Sequence, residues 1–323
     1  MDFDKYQAAA RKTAKLDIGT TTGRMELLFG LMSAVGSLAR AFKLFLRDAV
    51  GLEAQKDRLM SDIGDVQWYL AMIAGSLDIR LGEVAKDNLR RTNDRYAPNG
   101  SEVVFSSAFD EGYLAAERFP RRLLFRIAPA AARDGDATPH VSFFVMDAQP
   151  YVFEDRAPPL DDARPVGFKR GQEIGDAVND NALGDDGYRY HDAVHVAFMA
   201  VLGWSPVMRQ LLRVKRKSDA EVDRAEDGAR ARDLEEALSA ILKAFSVERN
   251  GFATEADVDG EVRDIIQRVV TGLEVRVVPI WLWARAITQG YAAMHALHRN
   301  GGGWLVADLG RQTVLFSAER PDF

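Results

Sequence analysis

Two histidines four residues apart carry the densest chemistry in this chain. In DDGYRYHDAVHVAFMAVLGWSP, which begins at Asp185, His191 and His195 stand at i and i+4. On a helix both imidazoles project from one face, with Asp192 alongside, three residues before His195. That arrangement can hold a metal ion or a phosphate; the alternative is a pair of core or capping histidines, with Asp192 serving the helix N-terminus electrostatically. Only five histidines occur in 323 residues, so two of them sharing a turn with an aspartate favours a common purpose. Downstream, Leu234, Leu238, Ile241, Leu242 and Phe245 form one stripe of an amphipathic helix, which leaves Glu235 and Glu236 on its flanks. Glu226 and Asp227 lie one short segment earlier, before Gly228. Such carboxylates can complete a coordination sphere begun by the histidines, one as metal ligand and another as general base for water. Any single one of them is as well explained by a solvated helix. Arg213, Lys215, Arg216 and Lys217 form a basic run suited to phosphate contacts, and equally to a hydrated surface.

A second concentration lies near the N-terminus. Leu59, Ile63, Val66, Leu70 and Ile73 recur at steps of four and three, predicting an apolar stripe, and Asp62 and Asp65 share another face of the same helix at the spacing a divalent cation needs. The segment from Met25 to Leu46 is also strongly apolar, with Leu28, Leu31, Val35, Leu38, Phe42 and Phe45 at helical spacing, interrupted by Arg40 and Lys43. This predicts a bundle or dimer helix in preference to a membrane span.

The elements that must position these groups change character along the chain. Residues 1–98 read as a helical bundle, 99–120 as a linker, and 121–323 as a helix-dominated α+β domain. Strand-like runs occur at Arg122 to Ile127 and Val141 to Met146, and again in WLVADLGRQTVLFSA after Gly301, Gly302 and Gly303, predicting a small antiparallel sheet. The stretch from Asp155 to Asp186 is rich in Pro, Asp and Gly and is expected to be a long loop. The fold class is therefore mainly α. Hydrophobic residues make up 47% and charged residues 28%, which suits a soluble globular protein. The absence of cysteine excludes disulfides, thiolate nucleophiles and Cys-ligated zinc. A net charge of −6 argues against general nucleic-acid binding. Asp2, Asp4 and Lys5 precede any apolar run, so no signal peptide is expected and the expected compartment is the cytoplasm.

The wording of the first hundred residues resembles the MazG-like, all-α NTP pyrophosphohydrolases. DIGDVQWYLAMIAGSLDIRLGEVAKDNLRRTNDRY is similar to the family's ELGDVLWYL followed by LEEVAEANLEKLRDRYP, and YQAAARKTA from Tyr6 fits its first helix. The resemblance implies a helical bundle that assembles as a homodimer, an NTP or dNTP substrate, and Mg²⁺, with Mn²⁺ as alternative, held by a Glu-x-x-Glu pair and a Glu-x-x-Asp pair. Here the first pair is missing: GLMSAVGSLAR stands where GLAGEAGEVAD is expected, with Ala34 and Ser37 at the glutamate positions. Asp62 replaces the third carboxylate and Asp65 retains the fourth. Asn88 keeps the family's asparagine and Arg91 takes the place of its lysine, so both are expected to contact the nucleotide. In the C-terminal half, YRYHDAVHVAF, LGWSPV, EDGARA and LEEALS resemble the companion domain of one branch of MazG-like proteins.

Three functions follow as expectations. The first is metal-dependent hydrolysis of a nucleotide phosphoanhydride, with the C-terminal residues doing most of the work. The second is a degenerate pyrophosphohydrolase that binds a nucleotide and signals without hydrolysis. The third treats His191-Asp192 as the central pair of an HD-type phosphohydrolase, which needs a further upstream histidine on a helix.

Overall fold

The computed structural model describes residues 2–95, 109–131, 138–149 and 170–323. Part of the expected linker, most of the loop after Ala131 and the first half of the long loop from Asp155 lie outside the described residues. The chain divides into two compact units, Met1–Asn93 and Asp94–Phe323.

The first unit is a helical bundle of α1 (Phe3–Arg11), α2 (Thr21–Asp48), α3 (Lys56–Ser76) and α4 (Leu81–Arg95). Asp2 and Thr20 start α1 and α2 by accepting the backbone N–H groups of Lys5 and Gly23. The first amides of α4 are satisfied from α1, where Gln7 Oε1 accepts Leu81 N and Asp4 Oδ1 accepts Gly82 N, each at 2.9 Å. Gly30 matters by its lack of a side chain, because a Cβ there would sit 2.3 Å from the Tyr69 ring that packs on α2. The core is small: Ala10, Leu27, Ala71, Met72, Ala74 and Leu81.

That core is not the one the α3 periodicity predicts. Ile63 and Leu70 are exposed, whereas Asp62 faces inward. On α2, Leu28, Phe29, Met32, Val35, Phe42, Phe45 and Leu46 are likewise exposed. The apolar stripes are real, but the chain's own described residues in this unit do not cover them. By length and composition alone α2 would also cross a membrane.

The second unit has a five-stranded antiparallel sheet in the order β3-β2-β1-β4-β5, formed by β1 (Arg122–Ala130), β2 (His140–Gln149), β3 (Gln172–Glu173), β4 (Gly303–Asp308) and β5 (Thr313–Ser317). Strand β1 pairs on one side with β2, Phe125 opposite Val145, and on the other with β4, Phe125 opposite Leu305. Its Leu123, Phe125 and Ile127 join a core built largely from helices α5 (Asp192–Ala197) and α10 (Ile280–Asn300). Gly290 lets these two helices touch, since a Cβ there would lie 3.0 Å from the Val194 Cα. As a result every residue from Ala193 to Leu202 is buried. Around this centre lie α6 (Pro206–Leu211), α7 (Ala220–Ala225), α8 (Ala229–Ser246) and α9 (Gly260–Val269).

A buried ionic lattice ties distant segments of this unit together. Arg216 donates to both oxygens of Asp227 and of Glu274 and to the Phe109 carbonyl. Arg209 lies 3.4 Å from Asp110 and donates to the Glu117 carbonyl. Asp110 also accepts Phe119 N and Arg121, and Glu117 accepts Ser218. The stretch 109–120, expected to be linker, is thus built into the second unit.

Candidate metal centre

The local sequence explains how the histidines are presented. Gly187, at φ +76°, starts a turn through Tyr188–Tyr190 that leads directly into α5. The helix continues as a single π-helical turn, Phe198–Leu202, which Gly203 ends in the left-handed conformation. Ser205 then caps α6 with Pro206 in its first turn. His191 and His195 therefore lie one turn apart at the buried start of this segment, facing the middle of α8.

Both imidazoles are held through Nδ1. His191 Nδ1 lies 2.9 Å from the Tyr188 carbonyl oxygen, which can only accept, so the proton belongs on Nδ1 and Nε2 is free to bind a cation. The His191 ring also stacks on Tyr188, centroids 4.4 Å apart. His195 is fully buried, and its Nδ1 donates to Glu235 Oε1 at 2.8 Å. Glu235 is equally buried and bonded at both oxygens: Oε1 also accepts the Ser205 hydroxyl at 2.6 Å and Oε2 accepts Val207 N at 2.9 Å.

What remains is a convergence of three donor atoms. His191, His195 and Glu236 each offer one ligand atom, all within 4.8 Å of one another. Glu236 Oε2 is 3.3 Å from His195 Nε2 and 3.8 Å from His191 Nε2. The His195 Nε2 contact is close enough for charge attraction but lacks hydrogen-bond geometry, so this nitrogen has no hydrogen-bond partner although it is buried. Burial alone would push the His195 imidazole down, but Glu235 and Glu236 on either side of the ring outweigh it and push the group up to about 10. Burial likewise works to raise Glu236, and the His195 contact overrides it and holds that carboxyl below its ordinary value. A cation between the ligands would replace the excess proton.

Residues 156–320, just over half of the chain, match the MazG C-terminal domain family. The chain belongs to that family. A curated relative, the Gene 37 protein of Mycobacterium phage L5, is 36% identical over 101 residues, which cover 29% of this chain and 89% of that protein. No solved structure matches the chain. All three converging donors and Glu235 lie inside the MazG C-terminal domain, and the domain match does not extend to the helical unit.

Within the MazG C-terminal domain the sequence-predicted residues divide. His191, His195, Glu235 and Glu236 come together. Glu235 stands behind His195, fully buried, with Oε1 on His195 Nδ1 and the Ser205 hydroxyl and Oε2 on Val207 N, which suits it to orient the imidazole. Asp192 is half-buried beside His191 and outside the ligand group. Glu226 accepts Glu274 N at 3.0 Å, and burial pushes its carboxyl up. Asp227 grips Arg216, so its expected role as a ligand gives way to a buried ion pair at 2.7 Å. Arg216 is correspondingly buried and engaged, and cannot also serve as a phosphate contact. Lys215 is half-buried and Lys217 exposed. The HD pattern does not assemble: the ligand group forms without Asp192, and His140 opens β2 with Nδ1 against the Thr138 carbonyl.

In the helical unit, Ser37 Oγ donates to Asp62 Oδ1 at 2.8 Å, Arg58 approaches Asp62 at 3.7 Å, and Asp65 is exposed. Asn88 and Arg91 are exposed on α4, where Arg91 pairs with Asp87 at 3.2 Å. Sequence reasoning missed Ser205, Val207 N and Tyr188, the groups that fix the ligands. Ser-Pro is a general helix-start signal, but nothing in its spacing points toward Glu235.

Proposed function

We propose that this chain is a metal-dependent hydrolase of a nucleotide phosphoanhydride, with an NTP or dNTP as substrate, and that its centre is His191, His195 and Glu236. The observation that carries the reading is the buried His195 Nε2, partnerless in hydrogen-bond terms, aimed at the point where His191 Nε2 and Glu236 Oε2 converge. Membership of the MazG C-terminal domain family supports the substrate class. A divalent cation held there would polarise a phosphoryl oxygen and acidify a bound water. The chain's own residues do the rest. Tyr188 and Glu235 orient the two imidazoles, and the buried wall of α5 excludes water behind them. Glu236, half-exposed, leaves the solvent side open for a phosphate to approach. In this reading the protein is a cytoplasmic homodimer, joined through the uncovered apolar faces of α2 and α3.

The test is a product-resolved assay of the full chain against NTPs, dNTPs and nucleoside diphosphates with Mg²⁺ or Mn²⁺, beside Glu236→Gln and Asp62→Asn. Loss of turnover in Glu236→Gln with retention in Asp62→Asn is the expected result. The opposite pattern would move catalysis to the helical unit. A second reading, a nucleotide sensor without hydrolysis, is favoured by one observation: Ala34 and the Ser37–Asp62 hydrogen bond occupy the place of the family's first carboxylate pair. Tight nucleotide binding by calorimetry with no product over hours would select it.

A further inference from the structure

We infer that His191, His195 and Glu236 form a site for one first-row transition-metal dication, of the Zn²⁺, Co²⁺ or Mn²⁺ type, bound in strong preference to Mg²⁺. This deepens the hydrolase reading by naming the metal class, but the site stands on its own geometry.

Mg²⁺ is a hard ion that demands near-octahedral oxygen donors and gives up its waters reluctantly. Two imidazole nitrogens and one carboxylate oxygen are the wrong set for it and the right one for borderline cations, whose affinity for nitrogen donors rises along the first row. Without cysteine in the chain, thiolate sites for the same metals are excluded, which leaves imidazole as the side-chain donor suited to borderline cations. The carboxylate pairs named from the sequence gather no third ligand residue among the described residues: Asp62 Oδ1 accepts Ser37 Oγ, and Asp227 is paired with Arg216.

The outer contacts have the form that metal-bound histidines require. Each ligand histidine needs its other ring nitrogen tied to a carbonyl or carboxylate, which fixes the tautomer and aims the lone pair. His191 has the Tyr188 carbonyl and His195 has Glu235, itself locked by Ser205 and Val207 N. The ligand atoms are thus positioned before any ion arrives. Three protein ligands with Glu236 on the open side also leave coordination positions for water or substrate, the arrangement of a catalytic site in contrast to a closed structural one.

The experiment uses the untagged full-length chain, stripped with a chelator and titrated separately with Co²⁺, Zn²⁺, Mn²⁺ and Mg²⁺ by calorimetry, with visible absorption recorded for Co²⁺. One equivalent of Co²⁺ or Zn²⁺ should bind at least about 100-fold more tightly than Mg²⁺, with ligand-field bands from Co²⁺. Glu236→Gln, a half-exposed change expected to keep the melting temperature, should weaken binding and alter those bands. Glu235→Gln should cost about 10- to 100-fold in affinity through His195. Equal affinity for Mg²⁺, absence of Co²⁺ and Zn²⁺ binding, or binding unchanged in both Glu236→Gln and His191→Ala would overturn the site. Stoichiometric Co²⁺ binding by a chain that hydrolyses no nucleotide would support the site and sink the hydrolase reading. Mg²⁺-supported turnover without Co²⁺ binding would do the reverse.

Discussion

Asp62 in the helical unit and His195 in the α+β unit are both buried polar side chains of a sequence-predicted metal motif, each with one atom hydrogen-bonded and one not, and they differ in what converges on the open atom. Asp62 accepts the Ser37 hydroxyl on Oδ1 and has Arg58 at 3.7 Å, while its Oδ2 is buried without a hydrogen bond. His195 has one nitrogen locked by Glu235 and the other left without a hydrogen bond, facing a second carboxylate and a second imidazole. An unsatisfied buried group is costly wherever it occurs, so one orphaned atom does not by itself mark a site. What separates the two is convergence: His191 and Glu236 close on the open nitrogen of His195, whereas among the described residues no such group of three gathers around Asp62. On that ground the proposed metal chemistry is placed in the second unit.

The largest effect that would test this contrast is on stability. Glu235→Ala strips partners from His195, Ser205 and Val207 N at once, and should destabilise the chain by about 3–5 kcal/mol in urea denaturation. Ser37→Ala, which removes one hydrogen bond from Asp62, should cost only about 1 kcal/mol; comparable losses would erase the distinction. Next comes turnover: Glu236→Gln is expected to lower kcat/KM by roughly 100-fold, about 2.7 kcal/mol of transition-state stabilisation, while Asp62→Asn stays within about twofold. A third test sharpens the comparison at the surface. Exposed apolar residues cluster on α2 and α3, whereas in the second unit Leu114, Leu183, Val247, Val277 and Leu315 are scattered along the chain. Phe29→Glu with Met32→Glu should convert a dimer to a monomer in light scattering, and Leu183→Glu should leave the mass unchanged. A wild-type monomer at micromolar concentration would remove the dimer from the proposal.

The smallest effect is on pH dependence. Burial, then Lys243, Arg299 and His298, hold His295 below its usual 6.5. The unfolded chain therefore takes up that proton first, so the stability tied to neutral His295 is fully present above pH 6.5 and is lost as the pH falls through the lower folded value. Melting temperatures recorded between pH 8 and pH 5 should decline less steeply for His295→Gln than for the wild type. An identical slope would show that His295 does not feel those neighbours.

Much of the fold was legible in the residues. The alternating runs after Arg122 and Gly303 became β1, β2, β4 and β5, and the HDxxH spacing placed both histidines on one face, because period and helix pitch are local properties. What could not be read depended on pairings far apart in sequence. The choice between Glu235 and Glu236, adjacent and identical in type, rests on a helix rotation set by Leu238 and Leu242, and that rotation sends one to the wall and the other to the opening. The basic run concealed Arg216 because its partners, Asp227 and Glu274, lie 11 and 58 residues away. The α3 stripe misled for another reason: periodicity says that a face is apolar, but not whether the same chain covers it.

The pairing of β1 with β4, together with the bonds from Arg209 to the 109–120 segment and from Arg216 to Glu274, has a consequence for biosynthesis. As the chain leaves the ribosome, the helical bundle can close once α4 has emerged, since its contacts are local. Asp110 must wait for Arg209, Arg216 for Glu274, and strand β1 until residues beyond Gly303 have been made, before their partners are complete. For that interval Leu123, Phe125 and Ile127 are unshielded on one edge, so the unit that holds the proposed metal ligands is expected to be the slower to form and the more exposed to aggregation during synthesis.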